Sequence, residues 1–328
     1  MDGVTYSDKI PAFLAEAAEC DCMRRLRDVG MNCGCEYTSF PRFKNMGRYS
    51  RHDHSIGVAL IVWRFTHDKA QTLAGLLHDV SSPAFAHVID FLRGDYLTQE
   101  STEDGTAAII EGSEQLQKIL AENGLCTDDV CDYHRYPVAD NDAPRLSADR
   151  LEYSLGNMLN YGIRGLADAE KYYGDLCLAV NEEGETEIAF SHADVAAEFA
   201  DAALECSKIY VSDEDRYAMQ SLAELVGSAV KDGVLAEGDL YGTEPALIAK
   251  LTADAQYGQR WKDFCAMSKT AVSDADNGDG QWRKIFAKKR CIDPLVKDCG
   301  RVSALDENFR KKLEDFRNQP QDYWVKGY

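Results

Sequence analysis

Apolar residues recur every three to four positions through most of the chain, and this spacing predicts a mainly helical protein. Residues 10–29, 54–65, 70–79, 106–122, 193–210, 214–232 and 244–264 all carry it. A Ser82-Pro83 start predicts a further helix over 83–93, with Ser82 as N-cap and Pro83 at the first helical position. Ser147 is placed to cap a helix running from about Ala148 to Leu159. One stretch breaks the helical period. Residues 176–190 set two strand-like runs around the polar turn Asn181-Glu182-Glu183-Gly184, which predicts a β-hairpin on the surface of a helical protein. Towards the end, an Asp- and Gly-rich loop covers 273–280, a basic stretch covers 283–290, and a strand or irregular piece precedes a charged helix at 304–317.

Charge narrows the function classes. Of 328 residues, 56 are acidic and 36 are Lys or Arg, giving a net charge of −20. Such a chain lacks the broad basic face that releases counterions from nucleic acid, and it is repelled by anionic membranes. A small anionic substrate remains compatible, because a few cations can reverse the field inside one pocket. No apolar run approaches the roughly 18 residues of a membrane span. The start, MDGVTYSDKI, has no basic segment leading into an apolar one, so a cytoplasmic protein is expected. The eleven cysteines are odd in number and scattered, which reads as reduced thiols. The pairs Cys20/Cys22 and Cys33/Cys35 lack the usual zinc spacing. The acidic 274–280 loop has its glycine out of register for calcium and Ile285 where a Glu is needed.

Seven histidines remain to be explained, and the doublet His78-Asp79 stands out because it follows the apolar run Leu73-Ala74-Gly75-Leu76-Leu77. An ionised Asp in an apolar wall needs a partner: a metal ion, a salt bridge or a cap. Upstream lies Arg51-His52-Asp53-His54-Ser55-Ile56-Gly57-Val58-Ala59, and downstream Ser147-Ala148-Asp149-Arg150-Leu151-Glu152-Tyr153. This succession of motifs resembles the HD-domain phosphohydrolase superfamily. From about residue 20 to 165 it is closest to the deoxynucleoside triphosphate triphosphohydrolase-like branch.

The resemblance implies an HD-domain helical bundle with a small β-hairpin and a helical C-terminal region. It places the phosphohydrolase domain at 1–200, with its metal-site core at about 45–165, and a mainly helical region at 201–328. It implies one divalent metal ion held by His54, His78, Asp79 and Asp149. Two imidazoles and two carboxylates suit Mn, Fe, Ni, Zn or Mg. His87 and Asp90, three apart, match the residues that manage protons beside the metal. Arg51 and Arg150 match phosphate contacts, Tyr153 matches a neighbour of the substrate, and Asn157 stands where the branch carries a sugar-contacting Asp. Other positions depart from the branch. Ser82 and Gln99 replace histidines, Gly156 replaces an arginine, and Met31 or Asn32 stands in place of a glutamine. The expectation is a metal-dependent phosphohydrolase acting on a nucleotide or related phosphate ester, with a weakened reading of the sugar. A nucleoside monophosphate phosphatase is an alternative, and so is a non-catalytic nucleotide sensor with a structural metal. A homo-oligomer is compatible with either.

Overall fold

The computed structural model describes residues 4–94, 105–278 and 280–328. Gln99 and Asp279 lie outside them. The described residues form a mainly α fold of sixteen helices with two small sheets. No helix among them is long and apolar enough to cross a membrane.

Three helices frame the site, and each begins at a sequence-encoded cap. Ser50 caps Arg51–Thr66 in a reciprocal arrangement with Asp53, and Asp68 accepts from the Gln71 amide to start Lys69–Leu77. Ser147 caps Ala148–Asn160 as predicted. Val58, Ala59, Ile61 and Val62 of the first helix, Leu73, Ala74, Leu76 and Leu77 of the second, and Leu151, Leu155 and Met158 of the third are all buried in one core. Fully burying a side chain of this size gives about 1.5–3 kcal/mol, so this packing is what fixes the helices against one another.

Several expectations needed correction. The 83–93 helix starts late, at Val88–Arg93, because Phe85 and Ala86 adopt positive φ values of 62° and 47°. Ser82 is not its cap, since the hydroxyl donates instead to Asp79 Oδ1 at 2.8 Å. The 10–29 stretch breaks into Ala12–Ala18 and Asp21–Arg25, and the 244–264 stretch restarts at Asp254, which caps Ala255–Ala266. The hairpin forms as Leu176–Val180 and Thr186–Phe190 but is not a surface ornament. Ile188, Ala189 and Phe190 are buried, and the second strand pairs in parallel with Leu295–Val296. Its buried Glu187 accepts from the Leu146 amide and from Arg301, so the hairpin holds the loop that leads into the Ala148–Asn160 helix. The last strand, Trp324–Gly327, was not anticipated, and it lies at the centre of the second sheet.

Candidate metal centre

The ends of these elements converge on a cavity of about 640 Å³. His54 sits one turn into its helix, His78 closes the C-terminus of Lys69–Leu77, and Asp149 lies in the first turn of the third helix. The two Nε2 atoms are 3.2 Å apart, and Asp149 Oδ1 lies 3.1 Å from His54 Nε2 and 3.8 Å from His78 Nε2. Adjacent ligands around an ion with bonds of about 2.0–2.2 Å stand roughly 3 Å apart, so these gaps are of first-shell size.

The ring orientations strengthen the case. His54 Nδ1–H donates to Glu152 Oε2 at 2.5 Å, and His78 Nδ1–H donates to the Gly75 carbonyl at 2.8 Å. With both Nδ1 atoms acting as donors, the two Nε2 atoms face each other, and each offers a lone pair to a cation once its ring is neutral. The surroundings favour one strongly: burial opposes a charge on His54, yet Glu152 and Asp149 raise its pKa to about 10. Burial likewise opposes a charge on Asp149, but the two histidines hold its carboxyl well below the usual range. The donor set therefore fits a divalent ion. His54, His78 and Asp149 form one cluster in which all ligand atoms lie within 4.8 Å of one another.

Asp79 stands beside this triangle. Its Oδ2 is 3.5 Å from His78 Nε2 and 3.9 Å from His54 Nε2. Both of its oxygens accept from Arg51 NH1 at 2.6 Å. Burial works against the Asp79 carboxylate, but Arg51 and the histidines hold its pKa far below normal.

Of the other sequence-chosen residues, Arg51, His87, Arg150, Tyr153 and Asn157 line the cavity, and Asp90 does not. His87 lines it, and its Nδ1–H donates to the fully buried Asp90 at 2.8 Å. Burial lowers the His87 pKa, with Arg290 and Arg51 acting the same way and Asp90 opposing. Arg150 lines the cavity while bonding Asp140, Asn141 and the Arg145 carbonyl at 2.8–2.9 Å. Tyr153 and Asn157 follow Asp149 at four-residue steps, on one helix face, and border the same space. The Asn157 amide donates to the Tyr210 hydroxyl at 2.9 Å.

Sequence reasoning gave no role to Glu152, which proves central to His54. It is 3% exposed and accepts from His54, Tyr49 and Tyr6. A carboxylate behind a ligand histidine fixes its tautomer and raises its basicity. Two mid-helix glycines were the available signal. A Cβ on Gly57 would lie 2.6 Å from Glu152 Cγ, and one on Gly156 would lie 2.4 Å from the Tyr49 hydroxyl.

These features define a mainly α protein with a mixed imidazole–carboxylate cluster, suited to a divalent ion, on the wall of a cavity. No family model matches the chain. It is 28% identical over 205 residues to the uncharacterized protein YdhJ of Bacillus subtilis, in an alignment spanning 62% of this chain and 61% of that protein. It is 24% identical over 262 residues to a protein of Cordyceps militaris named metal-dependent phosphohydrolase cns2, spanning 76% of this chain and 71% of that one. The chain thus spans about three fifths of the Bacillus relative's length.

Proposed function

We propose that this protein is a metal-dependent phosphohydrolase of the HD-domain type, acting on a nucleotide or related phosphate ester. The observation that carries the reading is the pair of facing Nε2 atoms, 3.2 Å apart beside Asp149, on the wall of a substrate-sized cavity. The name of the Cordyceps relative agrees with it. His54, His78 and Asp149 hold the ion, with Asp79 completing the set. A divalent ion bound there supplies Lewis acidity and neutralises charge as the P–O bond breaks.

The rest is done by the chain's own side chains. Burial keeps the His87 imidazole neutral at pH 7, and Asp90 fixes its Nδ1–H, so Nε2 is available to take a proton from the attacking water. Tyr153, whose pKa burial pushes up to about 12, stays a hydroxyl donor. Away from the metal, Asn32 Oδ1 and Asn157 Oδ1 are buried and lack a partner among the described residues. Tyr161, Tyr210 and Phe91 line the wall with them. Acceptors for hydroxyls beside aromatic faces suit a nucleoside.

The test is a panel of nucleoside mono- and triphosphates with Mn²⁺, analysed for orthophosphate and tripolyphosphate. Release of either supports the reading. Binding with no phosphate product from any member makes the protein a sensor instead. Matched deoxy- and ribonucleotides should differ by less than about a hundredfold in kcat/KM, because Asn157 and Met31 or Asn32 stand where the resembled branch carries its sugar-reading Asp and Gln.

A further inference from the structure

The arm over residues 4–10 forms neither helix nor strand, and among the described residues it makes no backbone–backbone hydrogen bond. Side chains hold it instead. Val4 and Tyr6 pack against the core that carries the three site helices. The Tyr6 carbonyl accepts from the Tyr173 hydroxyl at 2.9 Å, and the two rings meet edge to face, with centroids 5.2 Å apart. Tyr173 is itself fastened to the helix of His54. Its carbonyl accepts from Arg64 at 2.7 Å, and the same guanidinium lies 4.3 Å from its ring centroid.

The Tyr6 hydroxyl reaches inward and donates to Glu152 Oε1 at 3.2 Å. The other oxygen, Oε2, accepts from Tyr49 and from His54 Nδ1. Among the described residues, Tyr6 is the donor that serves Oε1. A Cβ on Gly57 would lie 2.7 Å from the same oxygen, so the helix of His54 closes one side of it and Tyr6 the other.

We infer that Tyr6 is a positioning residue for the metal centre: its hydroxyl holds Glu152 and Glu152 holds His54, so docking of the 4–10 arm and loading of the ion favour each other. The inference rests on the metal-centre part of the proposed function and deepens it, by tying that site to a segment outside the helices that build it. A coupling of this kind is equal in both directions. Without the Tyr6 hydroxyl, Oε1 is a buried acceptor with no donor, which costs free energy until the side chain turns or water enters. Either change loosens the carboxylate that fixes the His54 ring, and a loosened ring binds the ion less tightly. An arm with no ladder of backbone bonds undocks at small cost, which suits it to carry such a coupling.

The test measures Mn²⁺ affinity of the full chain by chelator competition, and unfolding free energy in urea with EDTA. It compares wild type, Tyr6→Phe, Glu152→Gln, the double variant and Tyr257→Phe. Tyr6→Phe keeps the ring against Tyr173 and removes the hydroxyl alone. Tyr257 lies in a second buried core and donates to Asp232 Oδ2 at 2.6 Å, so Tyr257→Phe is a matched loss outside the core of the site helices. Tyr6→Phe should weaken Mn²⁺ binding by about five- to tenfold, at or below the low end for losing the partner of a ligand. In the Glu152→Gln background the same substitution should change affinity by less than about twofold, because the group it acts through is already altered. Tyr257→Phe should bind Mn²⁺ like wild type, whatever it does to stability in EDTA. Wild-type affinity in Tyr6→Phe overturns the inference alone. So does a loss that persists undiminished beside Glu152→Gln, or one that Tyr257→Phe shares. A wild-type chain that takes up no Mn²⁺ overturns the metal centre, and the inference with it.

Discussion

The metal end and the far end of the cavity treat their polar atoms in opposite ways. At the metal end three of the four proposed ligands are held from behind: His54 by Glu152, His78 by the Gly75 carbonyl, Asp79 by Arg51 and Ser82. At the far end Asn32 Oδ1 and Asn157 Oδ1 have no partner among the described residues, and burial pushes the Asp215 carboxyl up to about 7. A held ligand presents a fixed geometry to an ion. An unsatisfied acceptor in a protein wall carries a cost of about 1–3 kcal/mol until something donates to it. The first arrangement suits chemistry, which needs a pre-set site, and the second suits recognition, in which the ligand completes the hydrogen bonding.

That contrast can be broken by mutation. The largest effect is expected from Asp79→Ala, which removes a proposed ligand and leaves Arg51 buried without its carboxylate. Metal content and activity should vanish together, and unfolding free energy in urea should fall by about 3–5 kcal/mol. Activity lost with full metal content would put Asp79 outside the shell. Next, Glu152→Gln should lower metal affinity by about 10–100-fold in a chelator competition, since His54 loses the carboxylate that sets its tautomer. Affinity equal to wild type would mean the metal end does not depend on its backing.

The far end should answer to pH rather than to metal. Asp215 has an ordinary value of 3.8, burial raises it to about 7, and the Cys35 thiol that donates to it opposes the rise. Between those values the folded protein keeps a proton that the unfolded chain has lost, so stability falls as pH rises through the interval. Asp215→Asn should flatten this slope in melting temperatures measured from pH 4 to 7. A slope unchanged by the substitution would mean that Asp215 is ionised in the fold. The smallest effect is expected from Asn157→Ala. It removes one hydrogen bond to Tyr210, about 0.5–1.5 kcal/mol, and should raise KM for a nucleotide while metal content holds. A fall in metal content would show that the two ends are coupled.

The residues of the metal end were picked out through the resemblance of their motifs, and the structure brings His54, His78 and Asp149 together with Asp79 beside them. Ser147 announces one of the helices, and His78-Asp79 closes another stretch of apolar residues. Glu152 was hidden in plain view: a glutamate in a helix reads as solvated unless the burial of its face is known. The far end was harder to read. Asp215, Tyr210 and the 285–290 strap come from segments whose packing against the first half of the chain has no local signature. The late start of the Val88–Arg93 helix was missed for a related reason. Positive φ at Phe85 and Ala86 is imposed from outside, where Phe85 is buried in the second core and the Ala84 amide donates to the Leu240 carbonyl at 2.7 Å.

The 285–290 strap, whose Ile285 carbonyl accepts from the fully buried Arg216 and whose Ala287 amide donates to Gln321 Oε1, also sets an order of events in time. The proposed ligands and Glu152 lie between residues 54 and 152, on helices that pack on one another, so most contacts of this end of the cavity are made within the first half of the chain. The strap cannot follow until Arg216 is buried and the segment carrying Gln321 has docked, through contacts that span 69 and 34 residues. A nascent chain would therefore acquire its metal centre before the wall that faces it. The interval between the two is the period in which the half-built cavity stands open to whatever ions and anions the surroundings supply.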